Sequence, residues 1–501
     1  MDVMQGLATG FDVALAPHNI ALVLLGCTAG TFIGALPGIG PINGVAILLP
    51  IAYGLGLAPE SAIILLAGIY YGAEYGGRIS SILLNVPGDA AAVMSTLDGY
   101  PLARRGEAGR ALSLSAVASF AGGTFAVVAL SLLAPAIASL AIGFSPADYV
   151  ALIVFAFASL SSMVGDNTVK TMLAAVFGLM IASVGIDANT GIPRFTFGIP
   201  DLLAGIDFLV IVIGLFGLAE LFTLVERQFA GRVAQIPIGR TFMSLADLAR
   251  VKYTMLRAAL IGFCIGVLPG TGATIASAVA YGVEKRLAGD DAGSFGTGNV
   301  KGLVAPETAN NAAAGGAMVP MLTLGVPGSG TTAVLLGALL LFHITPGPML
   351  FADKPEVAWG LIASMYLGNV ALLVINLPLT HLFARVLNMP LQFLTPLIAC
   401  LAFIGVYSVV GNRFDLYIAI VLGIVGWTLR KLNFSLTPVV LGVVLGNLFE
   451  DNLRRSLSMS GGDWSILVES PASILLYSLA ACMVIVPLLL SRNRIIAKDV
   501  P

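Results

Sequence analysis

The sequence predicts an all-α polytopic membrane protein of about 12 membrane segments, built as two inverted repeats whose helices are broken or form re-entrant hairpins. Three observations predict this. The chain is 58% hydrophobic with a mean hydropathy of +0.97, and only 10% of its 501 residues are charged, where a soluble domain carries roughly 25%. Its apolar runs are continuous and many reach the ~20 residues that a helix needs to cross ~30 Å of hydrocarbon; a β-barrel would alternate. Finally, Gly34-Ala-Leu36-Pro37-Gly38-Ile-Gly40 returns 232 residues later as Gly266-Val-Leu268-Pro269-Gly270-Thr271-Gly272.

The remaining composition excludes several classes. A net charge of −2 offers no basic field for nucleic acid. Cys27, Cys264, Cys400 and Cys482 lie in apolar stretches without CxxC spacing and read as small core residues. His18, His343 and His381 are isolated, so neither a metal nor any other cofactor is expected. No P-loop is present. The first 77 residues hold no Lys or Arg, so no secretory signal is expected and the first span is retained.

From the N-terminus, residues 19–97 contain several apolar runs whose crossings and hairpins the pattern does not separate. Spans then follow near 111–142, 147–164, 170–186 and 207–225. Residues 226–252 form a basic join with Arg227, Arg232, Arg240, Arg250 and Lys252. Within it, Ser244-Leu-Ala-Asp247 reads as a capping box ahead of Leu245, Leu248 and Val251. A short amphipathic helix at the cytoplasmic interface is therefore expected, with an ordinary basic linker as the alternative. The units are thus 1–225, a linker at 226–252, and 253–501. Residues 254–350 repeat the ambiguity of 19–97. Spans near 357–384, 391–410, 414–429, 434–449 and 465–490 complete the chain.

Further pairs support the repeat. Val86-Pro87-Gly88 matches Val326-Pro327-Gly328 at an offset of 240, Gly122 matches Gly368 and Gly165 matches Gly411 at 246, and Pro146 matches Pro390 at 244. Placing Arg104, Arg105, Arg110 and the basic join inside puts most Lys and Arg inside, while Arg194, Lys354, Arg413, Arg454 and Arg455 fall outside. Asp353–Glu356 then lies outside and its counterpart around Arg104 inside, so the halves have opposite orientation.

Each half carries two breaks, at Leu36–Gly44 and Asn85–Asp89, then at Leu268–Thr274 and Gly325–Thr332. Broken backbone inside a membrane must be surrounded by protein or line a cavity, and duplicated breaks point to a midplane binding site of a secondary transporter. After each Pro-Gly the chain resumes as helix. Four helix N-termini then offer free N–H groups and partial positive charge to an anion. The expected substrate-binding residues are Pro37, Gly38, Gly40, Asn43, Gly44, Asn85, Pro87, Gly88, Pro269, Gly270, Thr271, Gly272, Thr274, Pro327, Gly328, Ser329, Gly330 and Thr331, with Thr332 as a further donor. The alternative is that Pro-Gly only kinks helices for packing.

Few acids lie near the breaks. Glu74, Asp89 and Glu307, with Asn310 and Asn311, are the candidates for a coupling Na⁺ or H⁺; Glu307 and the two asparagines could equally bond across helices. Glu74 and Arg78 stand four apart and would share a helix face as an ion pair, or leave Arg78 for a substrate carboxylate. Gly328-Ser329-Gly330 suggests a serine nucleophile only superficially, because no positioned base accompanies it. An enzyme is therefore not expected. A channel is a competing reading, since broken helices also line selectivity filters.

These residues resemble the large membrane subunit of the tripartite tricarboxylate transporters. The likeness lies in Gly34–Gly40, in Gly72-Ala-Glu74-Tyr75-Gly-Gly77-Arg78 through Asn85-Val-Pro-Gly88, in Asp98-Gly99-Tyr100-Pro101, and in Pro306-Glu307-Thr-Ala-Asn310-Asn311 through Gly325-Val-Pro-Gly328. It runs from Ile20 to about Leu490. The resemblance implies a permease in the bacterial inner membrane that works with a small four-span membrane subunit and a periplasmic solute-binding protein. It further implies uptake of di- or tricarboxylate anions on an ion gradient, with functional regions at Pro37–Gly44, Asn85–Asp89, Pro269–Thr274 and Pro327–Thr332.

Overall fold

The computed structural model describes residues 2–163, 168–187, 189–227, 238, 242–270, 272–387 and 391–496. The chain is almost wholly helical. In the first half, α1 (Val3–Ala14) is closed by an Asp2–Gln5 capping box. It is followed by α2 (Pro17–Ala35), α3 (Gly40–Gly54), α4 (Pro59–Leu84) and α5 (Val93–Leu102). A wide turn holding Gly106 at φ +85° leads into α6 (Ala108–Ala141). Then come α7 (Pro146–Met163), α8 (Thr168–Ala182) and a two-residue antiparallel pair, β1 (Gly185–Ile186) and β2 (Pro193–Arg194). Helix α9 (Phe208–Val212) continues through a π-helical stretch, Ile213–Leu218, into α10 (Ala219–Arg227).

The second half holds α11 (Leu245–Gly266), α12 (Gly272–Leu287), α13 (Val300–Gly316), α14 (Met318–Leu324), α15 (Gly330–Leu341), α16 (Leu350–Asp353) and α17 (Pro355–Val386). It ends with α18 (Leu391–Val410), α19 (Arg413–Lys431), α20 (Thr437–Met459) and α21 (Pro471–Ile496). Among the described residues, four helical stretches are long and apolar enough to cross a membrane: Pro17–Ala35, Val93–Ala141, Phe208–Glu226 and Pro355–Arg385. Several other apolar helices, such as Gly40–Gly54 and Gly330–Leu341, are shorter, and both begin at Pro-Gly corners. The protein is thus a multi-pass helical membrane protein.

Two helices form the centre. Every residue from Ser61 to Leu83 of α4 and from Gly302 to Gly316 of α13 is buried, the pattern of helices surrounded on all faces. Small residues let their neighbours close on them. A Cβ on Gly26, Gly30 or Gly34 of α2 would press into the backbone carbonyls of Leu65, Ile69 or Ala73 on α4. In the other half, a Cβ on Gly262 or Gly266 of α11 would press into those of Ala309 or Ala313 on α13. In lipid, where tails are as apolar as Leu, such close backbone approach is a main source of helix association. The halves also interlock: α6 packs on α13, with Gly122 against the Thr308 carbonyl, and α17 packs on α2 and α4.

Several expectations change. The capping box at Ser244–Asp247 forms, but its helix is not a short interfacial one; it runs unbroken to Gly266, because nothing after Val251 interrupts the helical pattern. Much of the basic join (228–237 and 239–241), with Gly165 and Pro390 of the proposed repeat pairs, lies outside the described residues. Helix α1 has no counterpart in the expected spans; Gly6 and Gly10 seat it against Trp359 of α17. Of the cysteines only Cys27 is buried; Cys264, Cys400 and Cys482 are exposed. An apolar residue carries no burial signal when the surrounding solvent is itself apolar.

Candidate functional site

The four Pro-Gly corners meet in pairs with the same bond. The Gly38 N–H donates to the Gly88 carbonyl at 3.0 Å, and the Gly270 N–H donates to the Gly328 carbonyl at 3.0 Å. The local backbone matches as well. Gly38 and Gly40 have φ of +85° and +65°; Gly270 and Gly272 have +78° and +63°. Residues with side chains rarely adopt such angles. The preceding helices end alike, with Asn85 (φ +57°) after α4 and Gly325 (φ +69°) after α14. Gly88 and Gly328 are held small from behind: a Cβ would stand 2.5 Å from Gly77 Cα in one case and 2.6 Å from Ala317 Cα in the other.

The corners enclose a cavity of about 410 Å³. Gly38, Gly40 and Asn43 line it from the start of α3, and Asp89 from the turn before α5. From the second half come Gly270, Gly272 and Thr274 at the start of α12, and Ser329, Gly330 and Thr331 at the start of α15. Glu74 and Tyr70 of α4, Phe216 and Arg430 add to the wall. Of the expected residues, Pro37, Gly44, Asn85, Pro87, Gly88, Pro269, Pro327 and Gly328 do not line it. They shape the corners instead, as where the Pro269 carbonyl accepts from Ser159. Thr271 lies outside the described residues.

The two halves present different chemistry at equivalent places. Asp89 Oδ1 accepts from the Ala92 N–H at 2.9 Å. Ser329, 240 residues later, accepts from the Thr332 N–H at 3.2 Å, while the Thr332 hydroxyl accepts from the Ser329 N–H at 2.8 Å. This capping box leaves the N–H groups of Gly330 and Thr331 outside the intrahelical ladder. A Cβ on Gly40 would stand 2.9 Å from Asp89 Cβ, whereas nothing lies within 4 Å of the Cβ position of Gly272. The first half therefore places a carboxylate over its helix start, and the second leaves its own open. Glu74 is buried, and its Oε2 has no hydrogen-bond partner among the described residues.

The remaining candidates do not line the cavity but form a buried polar layer behind it, where Asn310 bonds the Glu74 side chain. Glu307 accepts from Ser95 and Ser119, and the Asn311 amide donates to the Glu307 carbonyl at 3.1 Å. The side-chain oxygens of Asn310 and Asn311 are unpartnered among the described residues. Arg78 does not pair with Glu74. Its guanidinium donates to the carbonyls of Tyr75 (2.8 Å) and Leu112 (2.9 Å), to Ser115 Oγ and to Asn376 Oδ1. Because α4 is enclosed on every side, α6 and α17 supply three of these acceptors, and they outcompete the helix-face partner. Asp98 is also structural, collecting the N–H groups of Gly296, Gly298 and Asn299 and the Tyr281 hydroxyl. No group of three His, Cys, Asp or Glu gathers as a metal site among the described residues.

Sequence reasoning missed Arg430 and Glu220. Arg430 counted only among the Lys and Arg placed inside. Glu220 was a lone acid in an apolar run, which is itself a signal for a buried partner. Arg430 Nη1 donates to Glu220 Oε2, and its Nη2 donates to Asn43 Oδ1 at 3.2 Å.

Residues 20–441 match the tripartite tricarboxylate transporter TctA family. The chain belongs to that family. TctA-family proteins are transporters, not enzymes. The chain is also similar to two Agrobacterium vitis proteins. It is 40% identical over 489 residues, covering 98% of this chain and 97% of the relative, to an uncharacterized 52.8 kDa protein in the TAR-I ttuC' 3' region. It is 42% identical over 242 residues to an uncharacterized protein in the TAR-II ttuC' 3' region, covering 48% of this chain and all of the relative. No solved structure matches.

Proposed function

We propose that this TctA-family chain is the permease subunit of a binding-protein-dependent secondary transporter, in a bacterial inner membrane, that imports di- or tricarboxylate anions on a Na⁺ or H⁺ gradient. A small four-span membrane subunit and a periplasmic solute-binding protein are its partners. The observation that carries the reading is the single cavity walled by all four Pro-Gly corners, with the helix starts of α12 and α15 beside carboxylates from the first half. Free N–H groups and hydroxyls at helix starts recognise carboxylate. The recurring Gly38–Gly88 and Gly270–Gly328 bonds support descent of both halves from one unit, here with inverted orientation and moving relative to each other for alternating access.

Charge supports the coupling. With both ionised, Glu74 and Asp89 set against the lone Arg430 leave the cavity wall formally negative. A carboxylate entering it needs an accompanying cation, and the unpartnered Glu74 Oε2 with Asp89 is where a cation gains most. Glu307, Asn310 and Asn311, in the layer that adjoins Glu74, remain further candidates for the coupling ion.

The test is uptake of labelled citrate and succinate into proteoliposomes, with and without the binding protein, under imposed Na⁺ or H⁺ gradients. Saturable, gradient-dependent uptake that loses its ion dependence in Asp89→Asn is expected. Non-saturable uptake insensitive to the gradient would replace the carrier with a channel.

A further inference from the structure

Arg430 is the one Lys or Arg among the described residues that line the cavity. Its setting is built rather than incidental. Asn43 uses its amide nitrogen twice, donating to the Ile39 carbonyl and, at 3.2 Å, to Glu220 Oε2. That fixes the flip of the amide and turns Oδ1 toward Arg430 Nη2. Glu220 is buried, and its Oε2 serves both Asn43 and Arg430 Nη1, while its Oε1 has no partner among the described residues. The guanidinium is thus held by one bond on each terminal nitrogen. The rest of its five-donor fork is left for the cavity, and its side chain keeps about a quarter of its surface accessible (26%).

The first turn of α15 lines the same cavity, packed beside Ile42 of α3. Thr437, which also lines the cavity, sits so close to Gly330 that a Cβ there would stand 2.8 Å from its Oγ1. Ser435 and Thr437 follow Arg430 within seven residues. A carboxylate between the guanidinium and the N–H groups of Gly330 and Thr331 would receive charge-assisted bonds from one side and helix-start bonds from the other.

Resting on the carboxylate-carrier reading above, we propose that Arg430 is the residue that recognises one carboxylate of a multiply charged substrate, with Asn43 and Glu220 as positioning residues for its guanidinium. A monovalent anion is satisfied at the separate start of α12, where Gly272 lines the cavity; a second carboxylate is what Arg430 and the start of α15 select. A guanidinium serving only to neutralise Glu220 would make no such distinction.

The experiment measures equilibrium binding of labelled succinate and of its monomethyl ester to the purified full-length chain in nanodiscs. The loss of one charge-assisted interaction corresponds to a weakening of roughly 10- to 150-fold. Arg430→Gln should weaken succinate by at least tenfold and the ester by less than threefold. Because that variant leaves Glu220 buried and unpaired, the double variant Arg430→Gln with Glu220→Gln removes the orphan charge, and it should show the same collapse of discrimination. Arg430→Lys should keep the preference for succinate at reduced affinity. Glu220→Gln should lower discrimination when Arg430 is present and add nothing in the Arg430→Gln background. Equal losses for both ligands, or undiminished discrimination in the double variant, overturn the role of Arg430. Additive effects of Glu220→Gln overturn the positioning role. A folded wild-type chain that binds neither ligand overturns the carrier reading and Arg430 with it.

Discussion

Replacing Gly272 by alanine adds one methyl group at the start of α12 and little else. Alanine must keep φ at +63° there, at a cost of about 1–2 kcal/mol in folding free energy. Among the described residues no tertiary neighbour lies within 4 Å of the new Cβ, so steric overlap with packed elements is not the cost. The methyl instead stands at the cavity wall, before the first N–H groups of α12. If it displaces one charge-assisted bond to a carboxylate, about 1.5–3 kcal/mol of binding is lost, or roughly a 10- to 150-fold rise in Kd. The strain itself can be matched elsewhere. Gly56, exposed after α3, has φ +61° and an equally open Cβ position, so Gly56→Ala carries the backbone cost without touching the cavity. Kd for citrate, measured on both variants in nanodiscs beside thermal unfolding, separates the two terms. Equal stability loss with a Kd rise confined to Gly272→Ala is expected. Equal citrate affinity in the two variants would refute the helix-start account of anion binding. Gly270 is a poorer probe, since a Cβ there collides with the Leu160 side chain and mixes packing with binding.

Other outcomes follow from the packing. Gly30→Ala, and Gly262→Ala 232 residues later, should each destabilise by about 1–3 kcal/mol through overlap with the carbonyls of Ile69 and Ala309, read as lowered unfolding temperature with the cavity intact. Arg78→Met should be more damaging than a surface change, about 1–3 kcal/mol, because it strands the buried Asn376 Oδ1, while the Leu112 carbonyl keeps the Ser115 hydroxyl; normal folded yield would argue against that network. In the loop between α8 and α9, backbone N–H groups of Asn189 and Thr190, aided by Arg454 and Arg194, hold the Asp187 carboxyl below the ordinary carboxylate range. Its stabilisation is complete above a carboxylate's ordinary pKa of about 3.9 and is lost as pH falls through the lowered folded value. The gap in unfolding temperature between wild type and Asp187→Asn should therefore close on acidification below about pH 4.

Much of this architecture was legible because it is local. The run near 111–142 became α6, 357–384 became α17 and 414–429 became α19, since apolar length and Pro or Gly punctuation act along the chain. Ser244 and Asp247 formed their capping box for the same reason. The duplicated Pro-Gly breaks marked corners that share one cavity. The misses were of another kind. Glu74 and Arg78 were spaced to meet, but burial gave Arg78 better acceptors on α6 and α17. Arg430 carried no signal of its own, because its significance comes from Glu220 and Asn43, more than 200 residues away in the chain.

The sequence by itself determined the membrane class, the positions of most helices and the four places where the chain must turn. Each follows from solvation of an apolar run or from the backbone limits of Pro and Gly, which need no distant partner. Only the tertiary structure decided which corners bond, which acids face the cavity and which guanidinium shares it. Those outcomes depend on close helix approach through Gly26, Gly30, Gly34, Gly262 and Gly266. They also depend on competition among buried polar groups for a limited set of partners, which no stretch of chain can settle alone.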